Sequence, residues 1–402
     1  MVCCAWRRLS PNRLCRLPNR LLALLVGGTL SLAASARVNA EATSPGARNA
    51  ARSLPSVFQA WAPAQIPGED PLHTLARHDL VFCGPRLLGL EWNQRQVGLA
   101  TGFDPAGLPA ARAKRQSLLQ RNAQIILLCE IRYRDAPRNY LPEDSPWWQR
   151  LPGGERAPGW KEGNFLKLDF AHPEFRAQVA RQAKAAVASG VFDGVMLDWW
   201  DERQQTDDRL ALLREVRAAL GPAALILVNC NDRPLPLSAP FIDGLFLECS
   251  DTTSPGRWKK IADTLRWARA ALRGGRFACL EFWYHQSRQD LHLMRAATTL
   301  SLTLSDGYCL FGDPNPLPSP DHLHDWYPFW DKSLGRPVEV GRDRPDGAIE
   351  RRFERGLAVH NPMGNAPVEL SFSTLHRSLA TGLIARGHRI ASADGDIFLA
   401  EK

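Results

Sequence analysis

The chain has 402 residues, of which 45% are hydrophobic and 23% are charged, so it is long enough to bury a large core. Its formal net charge is +8, but residues 1–40 contain six arginines and no acidic residue, and without them the charge falls to +2. The basic excess is confined to one end of the chain, which argues against a basic nucleic-acid-binding surface.

Residues 1–40 have the pattern of a secretory signal peptide. An arginine-rich start precedes the apolar run Leu21–Ala36, which is about as long as the core of a signal sequence and short for a membrane span. Val38-Asn39-Ala40 offers small residues for cleavage, and Ala34-Ser35-Ala36 is an alternative site. We expect an exported protein, periplasmic or extracellular, without stable membrane insertion.

Residues 41–78 are rich in Ala, Pro and polar side chains, and we interpret them as a linker or N-terminal extension. Eight apolar runs follow and are predicted as strands: Leu80–Gly84, Gln124–Ile131, Asn164–Phe170, Asp193–Asp198, Ala224–Cys230, Ile242–Glu248, Phe277–Trp283 and Gly307–Phe311. Helical patterns separate many of them: Ala106–Arg121, Pro173–Ser189, Asp207–Leu220, Trp258–Leu272 and Gln289–Leu304. This alternation predicts an α/β fold in which residues 79–344 form a (β/α)8 TIM barrel.

Two connections depart from a regular barrel. Only a short, proline-rich segment separates the fifth and sixth runs, so we expect no full helix there. The connection Arg132–Gly163 is long and contains three tryptophans, which makes it a candidate lid or substrate wall. After the barrel, residues 345–402 change to short alternating segments, which predict a small C-terminal β domain.

Six cysteines lie outside the predicted signal peptide, each within or beside a predicted strand: Cys83, Cys129, Cys230, Cys249, Cys279 and Cys309. No pair has the spacing of a redox motif or a zinc site. We interpret them as small buried hydrophobic residues, with one disulfide as the alternative in an oxidising compartment.

An Asp-Gly dipeptide recurs at three predicted strand starts, with Asp193, Asp243 and Asp306. In the first two copies a second acid follows five residues later, Asp198 and Glu248 respectively. Strand starts lie on the face of a barrel opposite the chemistry, and strand ends lie at the active-site face. The repeat therefore predicts structural roles for the first acids and functional roles for the second.

Two carboxylates that converge at a barrel mouth suit glycoside hydrolysis. We predict Asp198 as the nucleophile and Glu248 as the general acid/base, because an ionised acid and an acid with a raised pKa are both needed. Glu281, near the end of the seventh run, competes with Glu248 for the acid role. A strand-end cap, a salt bridge or a buried ion pair would explain any of the three acids without catalysis.

Further candidates for substrate contact lie in the loops and strand ends around these acids: Trp199, Trp200, Asp201, Asn229, Asp232, Trp283 and Tyr284. Aromatic rings would stack on sugar rings and the polar groups would bind hydroxyls, although packing and solvation are the alternative explanations. The sequence carries no P-loop, Rossmann glycine pattern, HExxH or Gly-x-Ser-x-Gly motif. His322 and His324 stand in an irregular loop, so we predict no metal and no cofactor.

The segment Phe192–Asp201 resembles that of uncharacterised bacterial glycoside hydrolase families whose barrels are related to the alpha-galactosidase and alpha-amylase groups. Leu168–Phe175 is similar to their passage into the fourth strand, and Phe353–Pro362 to their accessory β domain. The resemblance covers residues 80–402 and implies that Asp198 is the nucleophile.

The two related groups differ in where the acid lies. The alpha-galactosidase-like group implies an acid on the sixth strand, where this chain has Glu248. The alpha-amylase-like group implies one on the fifth strand, where Asn229 and Asp232 stand instead of Glu. This departure favours Glu248.

The sequence thus predicts an exported, retaining glycoside hydrolase acting on a poly- or oligosaccharide. The alternatives are a non-catalytic carbohydrate-binding barrel at the cell envelope and an envelope interaction protein that has kept only the fold. A distance of about 5–5.5 Å between the Asp198 and Glu248 carboxyl groups would indicate retention, and about 6.5–9.5 Å inversion.

Overall fold

Eight parallel strands form the centre of the protein, as seen in a computed structural model that describes residues 44–64, 66–272, 277–314 and 322–401. In chain and spatial order they are β1 Phe58–Ala60, β2 Leu80–Cys83, β3 Ile126–Glu130, β4 Gly194–Leu197, β5 Leu225–Asn229, β6 Gly244–Cys249, β7 Phe277–Trp283 and β8 Tyr308–Gly312. A parallel bridge between Val57 and Cys309 brings β8 beside β1, so the sheet curls into a barrel. The predicted α/β barrel is confirmed.

Side chains of alternate strand residues fill the barrel, because successive residues of a strand point to opposite faces. The inward cluster contains Phe58, Ala60, Leu80, Phe82, Ile126, Leu128, Met196, Leu225, Leu227, Phe246, Phe277, Cys279, Tyr308 and Leu310. The intervening residues pack outward into the larger core beneath the helices. This burial on both faces explains why the strands read as continuous apolar runs in the sequence.

The sequence prediction was wrong about one barrel strand and missed another. Residues 164–170 do not join the barrel; within them Leu166–Lys167 pairs with Asp135–Ala136 in a short antiparallel pair. The first barrel strand is instead β1, which lies in the stretch interpreted as a linker. It was missed because it has only three residues and Gln59 at its centre. The two errors cancel, so Asp198 still follows the fourth strand.

Seven α-helices are described: α1 Pro45–Ala51, α2 Pro71–Ala76, α3 Leu108–Arg121, α4 Pro173–Ala188, α5 Thr206–Leu220, α6 Pro255–Ala271 and α7 Leu291–Leu304. The last five match the predicted helical patterns within a few residues. As expected, no α-helix lies between β5 and β6. A proline at the first turn opens α4 and α6, where a missing N–H costs no helical hydrogen bond.

A six-stranded antiparallel sheet follows the barrel, as predicted for the C-terminal end. Its strands are β9 Arg342–Asp343, β10 Ile349–Phe353, β11 Gly356–Asn361, β12 Val368–Ser378, β13 Ile384–Ile390 and β14 Asp394–Ala400, in the spatial order β9-β10-β11-β14-β12-β13. Helix α7 lies between this sheet and the barrel and is buried from Leu293 to Leu304. Arg295 of α7 is hydrogen bonded to Asp394 of β14 at 2.7 and 2.8 Å.

The three Asp-Gly turns lie at the amino ends of their strands. Asp193 accepts a hydrogen bond from the Leu127 N–H at 2.9 Å, and Asp243 accepts one from the Ile226 N–H at 2.9 Å. Each glycine is needed for space: a Cβ on Gly194 would lie 2.1 Å from a carbonyl oxygen of the next strand. Asp193 and Asp243 therefore connect neighbouring strands, whereas Asp306 pairs with Arg351 of β10.

All six cysteines of the described part of the chain are buried and free. Within the same residues, no helix combines the length and apolar character needed to cross a membrane. The predicted signal peptide, residues 1–40, lies outside the described residues.

Candidate active site

A pocket of about 200 Å³ opens at the carboxyl ends of the barrel strands. Its described lining consists of Trp61, Glu130, Arg132, Asp135, Trp160, Phe165, Asp198, Trp199, Glu248 and His322. Polar and aromatic groups line it together, which is the composition of a small-molecule site rather than of a core. Asp198 and Glu248, the two acids predicted to carry the chemistry, both lie in this pocket.

Asn229, at the end of β5, connects these two acids. Its side-chain nitrogen donates to Asp198 Oδ1 at 2.9 Å and to Glu248 Oε2 at 2.7 Å. Its amide oxygen accepts from the Asn231 N–H at 3.0 Å, which fixes the orientation of the amide. The nearest carboxylate oxygens of Asp198 and Glu248 are thus no further apart than the combined length of these two hydrogen bonds.

The pKa values of both acids are raised. Burial raises the pKa of Asp198 to about 6, and the nearby Glu130 carboxylate adds to the rise. Burial raises the pKa of Glu248 to about 7, although His322 opposes this rise. Burial thus favours the protonated form of both carboxyl groups.

Glu130 ends β3. This strand and β6, which carries Glu248, lie on opposite sides of β4, the strand that Asp198 follows. It pairs with Arg132, whose Nη2 is 3.2 Å from Glu130 Oε1. The pair places a carboxylate and a guanidinium at the pocket wall, where both are able to bind hydroxyl groups.

Glu281 lies beside Glu248, because β6 and β7 are paired with these two residues in register. Its side chain is fully buried and is not part of the pocket wall. His322 Nδ1 lies 2.9 Å from both Glu281 oxygens, and His322 Nε2 lies 3.8 Å from Glu248 Oε1. The imidazole therefore separates the two candidate acids.

Glu248, Glu281 and His322 are also the described residues closest to a metal-binding arrangement, with one ligand atom from each within 4.8 Å. The hydrogen bonds between His322 Nδ1 and the two Glu281 oxygens already engage that ring nitrogen. We therefore interpret His322 and Glu281 as a hydrogen-bonded pair, with Glu248 Oε1 at 3.8 Å from His322 Nε2.

Aromatic rings form the outer wall. Trp199 is 42% exposed and has a left-handed backbone with φ of 53°, rare for a bulky residue. The Arg134 guanidinium lies 4.4 Å from its ring centre. Trp160 and Phe165 come from the long connection after β3, and Asp135 accepts the Trp160 N–H at 2.9 Å. This connection does form a wall of the pocket.

The other predicted contacts do not reach the pocket. Trp200 is buried and donates to Ser238 Oγ at 2.9 Å, so its predicted role as a sugar platform is not supported. Asp201 pairs with Arg203, and Asp232 with Lys260. Trp283 lies behind His322 with its Nε1 3.4 Å from Glu281, and Tyr284 packs near Phe311.

Sequence reasoning included Trp160 only as part of the candidate wall, and it missed other residues of the pocket: Trp61, Glu130, Arg132, Asp135, Phe165 and His322. Glu130 carried a usable signal, because it is an acid at the end of an apolar run, as Asp198 and Glu248 are. Trp61 carried none, since it follows the strand that was missed. His322 was considered only as a metal ligand.

Comparisons with solved structures identify similar barrels among glycoside hydrolases. A noncanonic maltogenic alpha-amylase from Thermotoga neapolitana has a TM-score of 0.54 at 12% identity, covering 89% of this chain and 100% of that chain. Cyclic alpha-maltosyl-(1-->6)-maltose hydrolase from Arthrobacter globiformis has a TM-score of 0.53 at 14% identity, with the same coverage. An alpha-amylase from Geobacillus thermoleovorans has a TM-score of 0.50 at 11% identity, covering 86% and 98%.

The sequence matches no protein-family model and no curated protein. At 11–14% identity, the structural comparisons show a shared fold. The predicted resemblance to glycoside hydrolase barrels is confirmed at that level.

Proposed function

We propose that this protein is an exported glycoside hydrolase that cleaves glycosidic bonds of a poly- or oligosaccharide with retention of configuration. Asp198 is the nucleophile and Glu248 the general acid/base. The observation that carries the proposal is the pair of hydrogen bonds from one Asn229 amide to both carboxylates, because it fixes two acids side by side at the mouth of a barrel.

The two acids would act in sequence. Asp198 attacks the anomeric carbon while Glu248 gives its proton to the leaving oxygen, which yields a glycosyl ester on Asp198 and a Glu248 carboxylate. That carboxylate then takes a proton from water, and the hydroxide displaces Asp198 from the sugar. Both acids return to their starting protonation states.

The pKa order supports these assignments. The first step needs a charged Asp198 and a protonated Glu248 at the same pH. Asp198, with a pKa of about 6, loses its proton before Glu248, whose pKa is about 7. Between these two pKa values, the form with a charged Asp198 and a protonated Glu248 is the most populated one with a single proton on the pair.

The remaining pocket groups suit a sugar ring. Trp199 and Trp160 offer flat apolar surfaces, and Glu130 and Arg132 offer partners for hydroxyls. The structural neighbours named for maltose-type substrates support carbohydrate as the substrate class. The resemblance to the alpha-amylase-like group implies an acid on the fifth strand, and Asn229 at that position of this chain favours Glu248 as the acid.

The test is turnover against a panel of poly- and oligosaccharides, using the wild type beside Asp198→Asn and Glu248→Gln. Asp201→Asn is the matched control, since Asp201 lies only three residues from Asp198 but faces Arg203 outside the pocket. We expect hydrolysis by the wild type and the control alone, with the first product formed in the anomeric configuration of the substrate by NMR.

Other outcomes point to the alternatives. Glycan affinity without hydrolysis, unchanged in Asp198→Asn, would indicate a non-catalytic carbohydrate-binding barrel. No affinity for any glycan would indicate an interaction protein. Inverted products would keep the hydrolase but reject Asp198 as a nucleophile.

Export is proposed from residues 1–40, whose arginines and apolar run have the order of a signal peptide. Mass spectrometry of the protein expressed in a bacterial host tests this part. We expect cleavage after Ala40 in the exported fraction; an intact N-terminus in the cytoplasm would contradict it.

A further inference from the structure

Glu281 is a buried acid whose ion-pair partner among the described residues is a histidine. Its side chain is 0% exposed, yet no arginine or lysine of the described residues forms an ion pair with it. Its hydrogen-bond donors among those residues are His322 Nδ1, at 2.9 Å from each oxygen, and Trp283 Nε1 at 3.4 Å. A buried carboxylate is costly unless a positive charge compensates it, and His322 is the group in position to supply one.

The surroundings of His322 favour a cation as well. Its Nδ1 faces the Glu281 carboxylate and its Nε2 faces Glu248 Oε1 at 3.8 Å, so acids lie on both sides of the ring. The ring centre of Trp61 lies 4.9 Å from that of His322, and an aromatic face attracts a cation. Each of these three contacts is more favourable to an imidazolium than to a neutral ring.

We propose that Glu281 holds His322 in its doubly protonated, cationic form, and that this pair is the positioning device that places a fixed positive charge beside Glu248. The inference rests on the proposed function for the role of Glu248. Glu281 is then not an alternative to Glu248 as the general acid. It is the group that keeps His322, which contacts both acids, positively charged.

The backbone is built to admit the pair. Gly312 ends β8 next to it, and a Cβ at that position would lie 2.8 Å from Glu281 Oε1 and 3.6 Å from the His322 backbone. His322 itself has a left-handed backbone with φ of 60°. Gly312 thus leaves space for the Glu281 carboxylate, and His322 adopts a backbone conformation that is unfavourable for a non-glycine residue.

Charged groups at the ends of β4 and β7 act on Glu248 together with His322. Glu281 and Asp198 raise its pKa, whereas His322 lowers it. Glu130 faces Asp198 from β3 and is paired with Arg132. His322 is thus the nearest positive charge described beside Glu248, while Arg132 is engaged by another acid.

This charge would serve the acid/base role directly. When Glu248 gives its proton to the leaving oxygen, it becomes a carboxylate in a buried site, and an imidazolium 3.8 Å away stabilises that carboxylate. His322 keeps both of its protons throughout. The pair therefore limits how far burial raises the pKa of Glu248, which keeps proton donation possible near neutral pH.

Nitrogen-15 NMR of histidine-labelled protein at pH 7 tests the charge state without any need for activity. The His322→Gln spectrum identifies the His322 signals among the 10 histidines. We expect two protonated ring nitrogens in the wild type, a neutral ring in Glu281→Gln, and a cationic ring again in the conservative Glu281→Asp. His360 is the internal control, because burial lowers its pKa to about 3 and keeps it neutral.

The pH profile of kcat/KM supplies the second readout. His322→Gln should move the alkaline limb to higher pH by at least about one unit, because a charge about 4 Å from Glu248 is lost. Glu369→Gln, at an exposed position of β12, should leave the profile unchanged. An unmoved limb in His322→Gln would overturn the proposed link to Glu248.

The two proposals fail in different ways. A neutral His322 in the wild type overturns this inference, whether or not the protein hydrolyses glycans. A cationic His322 that becomes neutral in Glu281→Gln supports it even in a protein without turnover, and that absence of turnover would count against the proposed hydrolase instead.

Discussion

The two ends of the barrel strands use acids in opposite ways. At the amino ends, Asp193 pairs with Arg115 and Asp243 with Arg217, and each also accepts a backbone N–H of the neighbouring strand. At the carboxyl ends, Asp198 and Glu248 share the Asn229 amide, and neither forms a described ion pair with an arginine. Carboxylates five residues apart in the chain therefore have different partners: arginines at the amino end and a neutral amide at the carboxyl end.

The difference shows what makes an acid reactive in this fold. An arginine partner compensates a buried carboxylate, which then stabilises the structure. A neutral amide satisfies hydrogen bonds without supplying a full charge, so burial is left to raise the pKa of Asp198 and of Glu248. Loss of an amino-end acid should thus affect folding, and loss of a carboxyl-end acid should affect turnover.

The largest expected effect is that of Asp198→Asn. If Asp198 is the nucleophile, kcat should fall by about 10⁴-fold or more, as in other enzymes that lose a nucleophile. The melting temperature should not fall, because a buried carboxylate with a raised pKa is replaced by a neutral group of the same shape. Initial rates measure kcat, and calorimetry measures the melting temperature. A lower melting temperature with an unchanged kcat would show that Asp198 has a structural role like that of Asp193 and Asp243.

The second effect is on pH dependence. Asp198 must be charged, so kcat/KM should rise through about pH 6, and Glu248 must be protonated, so it should fall above about pH 7. Glu248→Gln should lower the rate by about 10²–10⁴-fold and remove the alkaline limb, provided the leaving group needs protonation. A limb that persists in Glu248→Gln would assign it to another acid.

A third test reverses the comparison at the amino end. Asp243→Asn removes the charge that Arg217 pairs with, and we expect the free energy of unfolding to fall by about 3 kcal/mol. This is the low end of the usual range because Arg217 keeps hydrogen bonds to the carbonyls of Phe241 and Ala224. Urea unfolding measures the loss, and kcat of the folded fraction should stay within about twofold. A large fall in kcat would contradict the division between the two ends.

The smallest effect separates two adjacent tryptophans. Trp199→Ala should raise KM about tenfold with little change in stability, because the exposed ring is a wall of the pocket. Trp200→Ala should instead reduce the free energy of unfolding by about 3–5 kcal/mol, because that ring is buried. Equal effects of the two substitutions on KM would contradict the assignment of Trp199, and not Trp200, to the pocket wall.

The sequence predicted the barrel, its order of helices and the meeting of Asp198 with Glu248. These follow from local patterns, since apolar runs mark buried strands and the carboxyl ends of parallel strands meet at one face. The Asp-Gly repeat was informative because glycine is required where neighbouring backbones approach closely.

What the sequence could not predict depends on contacts between distant segments. The strand β1 is too short to show periodicity. The apolar residues of 164–170 are buried outside the barrel, where Leu166–Lys167 pairs with Asp135–Ala136 in the long connection. The role of His322 depends on Glu281, which is 41 residues away in the chain. Trp200 and Trp199 are identical as residues, and only the backbone turn between them sends one inward.

The most direct test of the central claim is to identify the residue that becomes covalently attached to sugar. The protein is incubated with a 2-fluoro glycosyl fluoride of the sugar that it accepts, digested and mapped by mass spectrometry. The account predicts the label on Asp198 and none in Asp198→Asn. A label on Glu130, Glu248 or Glu281 would contradict it, and so would turnover with retention but no label.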